Sequence, residues 1–314
     1  MTISKRCLVC QKPLESLSRR YHHHCARYLF GFSVVPSIGF NRQELQDLAK
    51  RVISQQVTVP GVQEKLSLIQ RVTDGEKRLT MVGLEGEFIL KAPTDQYPQL
   101  PENEAATMVL ARYCGIMTAA SGLMELSDGT LVYLTRRFDR IEGQELHMED
   151  MCQLTGRLTE DKYKGSVEQI AKVIRTHSRR PGFDLVALFE LVLFSFLTGN
   201  GDMHLKNYLL LHEPEVHLAP AFDLLNTRLL IPESQDNEDS ALTINGKKRN
   251  ITINDMRMLS SRIGLTEKQG ENVLTAYRKR IPGMLDLLGA SHLSEDQVRG
   301  YQEVLRARSR RLYG

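Results

Sequence analysis

GNGDMHLKNYLLLHEPEVHLAPAFDLLN, residues 199–226, is the stretch on which the fold turns. It follows the apolar run 185–197, interrupted by Glu190, whose apolar residues face all round and so predict a buried helix. Such a helix is a rigid base for the polar loop behind it. In that loop Asp202 supplies a carboxylate able to accept a hydroxyl proton, and Lys206 a cation able to neutralise phosphate. Asn207, five residues after Asp202, offers an amide oxygen of the kind Mg²⁺ takes. Residues 208–212 and 216–218 read as a short hairpin around Glu213-Pro214. Asp223 then stands 16 residues after Asn207, at a strand end that can aim a carboxylate at a fixed point. Taken singly, the loop also reads as a polar turn with an Asx-type cap, and Asp223 as a helix cap. The order and spacing of the parts favour chemistry.

Working outward, everything beyond residue 145 has helical periodicity: 148–154, 166–176, 184–197 and three amphipathic stretches after 253. Upstream the pattern is β-rich. VTVPGVQEKLSLIQRV (57–72) sets β-branched residues on both sides of a Pro-Gly pair, and strands are expected near 80–82, 88–91, 122–125 and 131–136. A helix is expected at 42–54, and another at 103–113, where Ala105, Met108, Val109 and Arg112 fall at helical spacing before Gly115. The charged bend RRFDRIEG closes this part. The expectation is an α+β, bilobal, protein-kinase-like fold. Its parts are a Cys/His-rich head at 1–32, a β-rich small lobe at 33–144 and a mainly helical large lobe at 145–314.

Phosphoryl transfer asks a protein to position phosphates, neutralise their charge and orient the attacking hydroxyl. Lys91, ending the apolar strand EFILKAP, fits the second task. Buried there, it needs an anion, either an ATP phosphate or the carboxylate of Glu102 or Glu104; the plainer alternative is a lysine snorkelling to a strand edge. TVPGVQEK (58–65) has one glycine, matches neither common phosphate-loop pattern, and alone would be a hairpin turn.

Together TVPGVQEKLSL, FILKAP, LPENEA, RRFDR, MEDMCQLTG, GNGDMHLKN and PAFDLLN, in this order, resemble the HipA family of serine/threonine kinases, the toxins of type II toxin-antitoxin modules. The resemblance runs from about residue 55 to the C-terminus. It implies Asp202 as catalytic base, Asn207 and Asp223 as Mg²⁺ ligands, and Lys91 as the lysine on the ATP phosphates, with His204 and Lys206 on the phosphate side. It further implies ATP contacts from Pro60, Gly61, Val62, Gln63, Glu64 and Lys65, a hinge near the adenine at Arg136, Arg137 and Phe138, and autophosphorylation at Thr58. The N-terminal subdomain of a full-length HipA has no room before residue 55. The chain therefore resembles the short kinase of three-component HipBST modules. The partners so implied are a helix-turn-helix DNA-binding antitoxin and a small HipS-like protein, and the substrate a translation component such as an aminoacyl-tRNA synthetase.

Composition narrows the alternatives. With 41 basic and 38 acidic residues among 314, the net charge of +3 does not argue for direct nucleic-acid binding. The run at 185–197 is short of the roughly 20 residues a membrane span needs, and the start lacks an apolar leader, so a cytoplasmic location is expected. Five cysteines, three of them within the first 25 residues, suggest a metal site over a disulfide framework. Cys7-x2-Cys10 and His22-x2-Cys25 supply four soft ligands for a structural Zn²⁺, with His23 and His24 competing for the place of His22. A reduced, metal-free head and a redox pair are the alternatives. Cys114 and Cys152 read as core residues. Two rival functions remain: a kinase of the same fold acting on a small molecule or lipid, and a zinc-bearing inactive adaptor.

Overall fold

The computed structural model describes residues 5–16, 18–55, 65–73, 75–82, 86–141 and 143–314. The chain divides into two compact units. The first holds residues 1–109, 119–138 and 290–293, and the second holds 110–118, 139–289 and 294–314.

The first unit is built on a five-stranded antiparallel sheet in the order β2-β1-β3-β5-β4. Its strands are β1 (Lys65–Thr73), β2 (Glu76–Met81), β3 (Phe88–Lys91), β4 (Ser121–Glu125) and β5 (Leu131–Arg136). The central strand β3 is short and apolar, with Phe88 and Leu90 buried, as are its neighbours Leu66, Leu68, Val132 and Leu134. Each such side chain contributes about 1.5–3 kcal/mol on leaving water. Helix α1 (His23–Phe30) sets Phe30 on this layer, 6.4 Å from the ring of Phe88, and α2 (Arg42–Gln55) follows it. Both outer strands make backbone hydrogen bonds with single residues outside the sheet. The Ser37 amide donates to the Lys77 carbonyl while its own carbonyl accepts from Leu79, each at 2.9 Å. On the other side the Leu123 amide of β4 donates to the carbonyl of Leu8 at 2.7 Å.

Helix α3 (Leu100–Tyr113) is buried on nearly every side, its polar residues Asn103, Glu104 and Thr107 included, and ends where Gly115 takes a φ of 81°. The second unit is mainly helical: α4 (Met151–Leu154), α5 (Val167–His177), α6 (Pro181–Thr198), α7 (Ile253–Arg262), α8 (Glu267–Gly289) and α9 (Glu295–Tyr313). By length and composition alone α6 resembles a membrane span, but 67% of it is buried inside the protein, as a core helix should be. A small sheet, ordered β10-β9-β8, joins β8 (Met148–Asp150), β9 (Leu209–Leu211) and β10 (His217–Leu218).

Three local expectations change. The helix expected at 148–154 is a strand and then one helical turn. Asp150 sits extended at the N-cap, with its side chain accepting from Gln153 N and its amide donating to the Gln153 side chain, so the residues before it cannot be helical. The hairpin at 208–218 thereby gains a third strand from MEDMCQLTG. The charged bend also contains a small hairpin of β6 (Arg140–Ile141) and β7 (Gln144–Glu145). Within the head, α1 was not expected, although Cys25, Ala26, Leu29 and Phe30 share its buried face.

Candidate active site

Helix α6 stops because Gly199 turns left-handed, with φ 71° and ψ 28°. A side chain is excluded there on a second ground, since a Cβ would lie 2.8 Å from Val304 Cγ1. The loop that follows is stitched to the segment after Asp223 by one hydroxyl. Thr227 Oγ1 donates to the Gly199 carbonyl and accepts from the Gly201 amide, both at 2.9 Å. The two motifs of the opening stretch are thus fixed to each other by a residue that belongs to neither.

Within the loop, the carbonyl of Asp202 accepts from the His204 amide at 2.8 Å and from Asn207 Nδ2 at 3.0 Å. Asn207 is buried and spends its nitrogen on the loop, which leaves its Oδ1 as the end suited to a cation. The Asp202 amide donates to Asn200 Oδ1 at 3.1 Å. The Asp202 carboxylate accepts from the Tyr163 hydroxyl at 2.6 Å. His204 stands edge-on to Tyr163, with ring centroids 5.2 Å apart. Burial pushes its imidazole below the ordinary value, so it is neutral at pH 7. Buried His204 Nδ1 and Asn200 Nδ2 have no hydrogen-bond partner, and Asp223 holds a φ of 58°, a conformation that costs a non-glycine residue about 1–3 kcal/mol. Orphaned polar atoms, a hard-oxygen pair and local strain fit a site that takes a phosphate and Mg²⁺.

Lys206 was expected on the phosphate side. Its Nζ lies instead 2.6 Å from Asp150 Oδ2, while Asp150 Oδ1 caps α4. This contact uses one of the three donors of the ammonium group.

In the first unit, Lys91 Nζ lies 2.6 Å from Glu104 Oε1, both side chains almost fully buried, and 5.4 Å from the ring centroid of Tyr133. Of the two carboxylates considered for Lys91, Glu104 is the partner. Glu102 keeps a buried Oε2 without a hydrogen bond, and burial raises its pKa. Lys65 opens β1 directly across from Lys91. The Arg136 amide donates to the Ala120 carbonyl at 2.7 Å and that of Arg137 to the Glu87 carbonyl at 2.8 Å; with Phe138 they end this stretch of the first unit. Cys7, Cys10, His22 and Cys25 are brought together, their donor atoms all within 4.8 Å of one another. Thr58, Pro60, Gly61, Val62, Gln63 and Glu64 lie outside the described residues.

Tyr163, Asn200 and Thr227 were missed from the sequence. Tyr163 lies 39 residues before its partner with no motif between, whereas Asn200 and Thr227 flank the two motifs and could have been found as loop-fixing polar residues.

Residues 57–285 match the profile of the HipA-like C-terminal domain. The chain belongs to that family. Y4dM of Sinorhizobium fredii, which carries a kinase name, is 32% identical over 230 residues, 67% of this chain and 54% of its own length. A relative from Haemophilus influenzae, also named a kinase, is 31% identical over 208 residues, 61% and 58% of the two chains. The serine/threonine-protein kinase toxin HipA of Shewanella oneidensis is 27% identical over 288 residues, covering 82% of this chain and 64% of HipA. The chain spans about half the length of the first two. Among solved structures, HipA of Shewanella oneidensis in its complex with HipB and operator DNA aligns over 84% of this chain and 70% of HipA. Its TM-score is 0.68 at 23% identity. The Helicobacter pylori proinflammatory kinase CtkA aligns with a TM-score of 0.50 at 15% identity, over 76% of this chain and 89% of CtkA. These likenesses establish the HipA-type α+β fold that the ordered motifs implied.

Proposed function

We propose that this chain is an ATP-dependent serine/threonine protein kinase and the toxin of a toxin-antitoxin module. The observation that carries the reading is the hydrogen bond that ties Asn207 to Asp202, with Asp223 held at a φ of 58° five residues after β10. A proton acceptor and two hard-oxygen ligands are what phosphoryl transfer asks of such a loop. The buried Lys91–Glu104 pair adds the lysine that a phosphate-binding strand requires.

In the reaction, Asp202 takes the proton of the acceptor hydroxyl as its oxygen bonds to the terminal phosphorus of ATP and the bond to ADP breaks. Asn207 Oδ1 and the Asp223 carboxylate would hold Mg²⁺, which when bound neutralises charge on the phosphoryl oxygens. Lys91 is assigned to the ATP phosphates, Pro60 to Lys65 to further ATP contacts, and Arg136 to Phe138 to the adenine side. The neutral His204 has a nitrogen to spare for a phosphate oxygen. Autophosphorylation at Thr58 is proposed as self-control.

The acceptor is proposed to be a translation component such as an aminoacyl-tRNA synthetase. The partners are proposed to be a helix-turn-helix antitoxin, in line with the HipB of the Shewanella complex, and a small HipS-like protein. Phosphoproteomics after controlled expression of the wild type and of Asp202→Asn tests the reading. New phosphoserine or phosphothreonine on a translation protein, absent with Asp202→Asn, is expected. Transfer of labelled phosphate from ATP only to small molecules in a lysate would overturn the protein-kinase assignment, and ATP binding without any transfer would favour an inactive adaptor.

A further inference from the structure

Three thiols and an imidazole converge in the head, and none of the thiols is in a disulfide. The ring of His22 decides which histidine belongs to the group and which nitrogen faces it. Its Nε2 lies 3.0 Å from the Pro13 carbonyl, so that nitrogen carries the proton and donates. Nδ1 is left with its lone pair 3.3 Å from Cys10 Sγ and 3.9 Å from Cys25 Sγ. His23 turns its Nε2 toward Arg19 at 2.8 Å, and His24 stacks on the His22 ring with centroids 5.3 Å apart. Bonds of about 2.3 Å to sulfur and 2.0–2.1 Å to nitrogen place tetrahedral S and N ligands roughly 3.5 Å apart. The two separations at Nδ1 bracket that value. The amides of Cys10 and Val9 donate to the Cys7 sulfur and that of Lys12 to the Cys10 sulfur, a form of support that orients thiolates around an ion.

The residues between the ligands are the ones that touch the sheet. Leu8, next to Cys7, accepts from the Leu123 amide at 2.7 Å, and Tyr21, next to His22, donates its hydroxyl to the Leu123 carbonyl at 3.0 Å. Both backbone groups of that β4 residue are therefore satisfied by the head. Arg20 pairs with Glu125 at 2.7 Å. Val9 packs so closely on Gly122 that a Cβ there would stand 2.7 Å from Val9 Cγ2. His292 Nε2 approaches the Cys7 carbonyl at 3.4 Å.

We propose that Cys7, Cys10, Cys25 and His22, through Nδ1, bind one structural Zn²⁺, and that this ion fastens the head to the outer strand β4. A set of three sulfurs and one nitrogen suits a soft tetrahedral ion, and with all four places filled by protein no position is open for water or substrate. The site is independent of the kinase reading. His147, Glu149 and His212, a three-residue group in the second unit with the two imidazole Nε2 atoms 3.7 and 3.0 Å from one Glu149 oxygen, serve as the control.

The experiment uses the full chain purified under reducing conditions without chelator. Elemental analysis is expected to find about one zinc per chain, falling below about a tenth in Cys7→Ser and in His22→Ala and unchanged in His23→Ala, His24→Ala and His212→Ala. Cobalt added to the metal-free wild type should give tetrahedral d–d bands with thiolate charge transfer, a readout that does not depend on any variant folding. Wild-type protein that neither holds zinc nor gives this cobalt spectrum would overturn the site, as would metal lost only in His212→Ala. For the fastening, hydrogen exchange at the Leu123 amide should rise at least about tenfold on chelation, since the bond to Leu8 opens. Exchange that stays the same in the metal-free protein refutes that half of the proposal.

Discussion

Lys91 and Glu104 illustrate what one buried residue can commit a fold to. Their mutual attraction offsets the cost of desolvating both, so the pair adds little net stability, but either one left alone is a bare charge in the core. Lys91→Ala is expected to cost about 3–5 kcal/mol in urea denaturation, and Lys91→Met combined with Glu104→Leu much less. Asp202 can be separated from its neighbour in the same way. Asp202→Asn should abolish phosphate transfer while leaving the melting temperature near that of the wild type. Tyr163→Phe, which removes only the phenolic hydrogen bond, should keep measurable transfer in the same assay. At this scale the sequence was most informative where a residue carries charge in an apolar setting, because such a residue must have a partner. It could point to Glu102 or Glu104, but choosing between them needed the three-dimensional register of α3 against β3.

Helix α6 was legible as an element because an apolar residue at nearly every position has one physical outlet, burial, and α3 because Ala105, Met108, Val109 and Arg112 fall at helical spacing. Gly199, which caps α6, and Glu190 within it turn that into predictions. Gly199→Ala adds a Cβ against Val304 at a positive φ, and it should destabilise the protein by at least about 2 kcal/mol in denaturant titration, with loss of transfer activity. Glu190, the one charge in the apolar run, has its carboxyl pKa raised by burial, partly opposed by Arg280. A folded pKa above the unfolded one gives stability that is fully present below the ordinary value near 4.5 and is lost as pH rises through the folded value. Melting curves of Glu190→Gln and the wild type should therefore diverge in favour of the variant from pH 4.5 toward 7. The strand β8 was not legible in this way. Its residues Met, Glu and Asp carry no strand propensity, and only the cap at Asp150 and the pairing with β9 make it extended.

Across the whole molecule, the part that sequence periodicity could not reach is residues 230–252, which carry isolated bridges but no helix or strand. This segment is organised by charge. Arg228 donates to the carbonyls of Asp236 and Glu238, and buried Asp239 receives Arg308 and Arg311 from α9 and the Ile251 amide. Such pairings join residues some 70 positions apart and leave no local pattern. Asp239→Ala strands Arg308 in the core, so a loss of about 3–5 kcal/mol and a melting temperature lower by roughly 10 °C are expected by calorimetry. The five-stranded sheet has a consequence at the same scale. Ser37 and Leu8 sit on its two outer strands like selvedges on cloth, occupying backbone groups that a second chain would otherwise extend. Stress on either strip should therefore first appear as turbidity that grows with protein concentration, before any global melting. Edge protection in this sheet thus rests on a few backbone contacts together with the charged residues Glu76, Lys77 and Arg78 of β2.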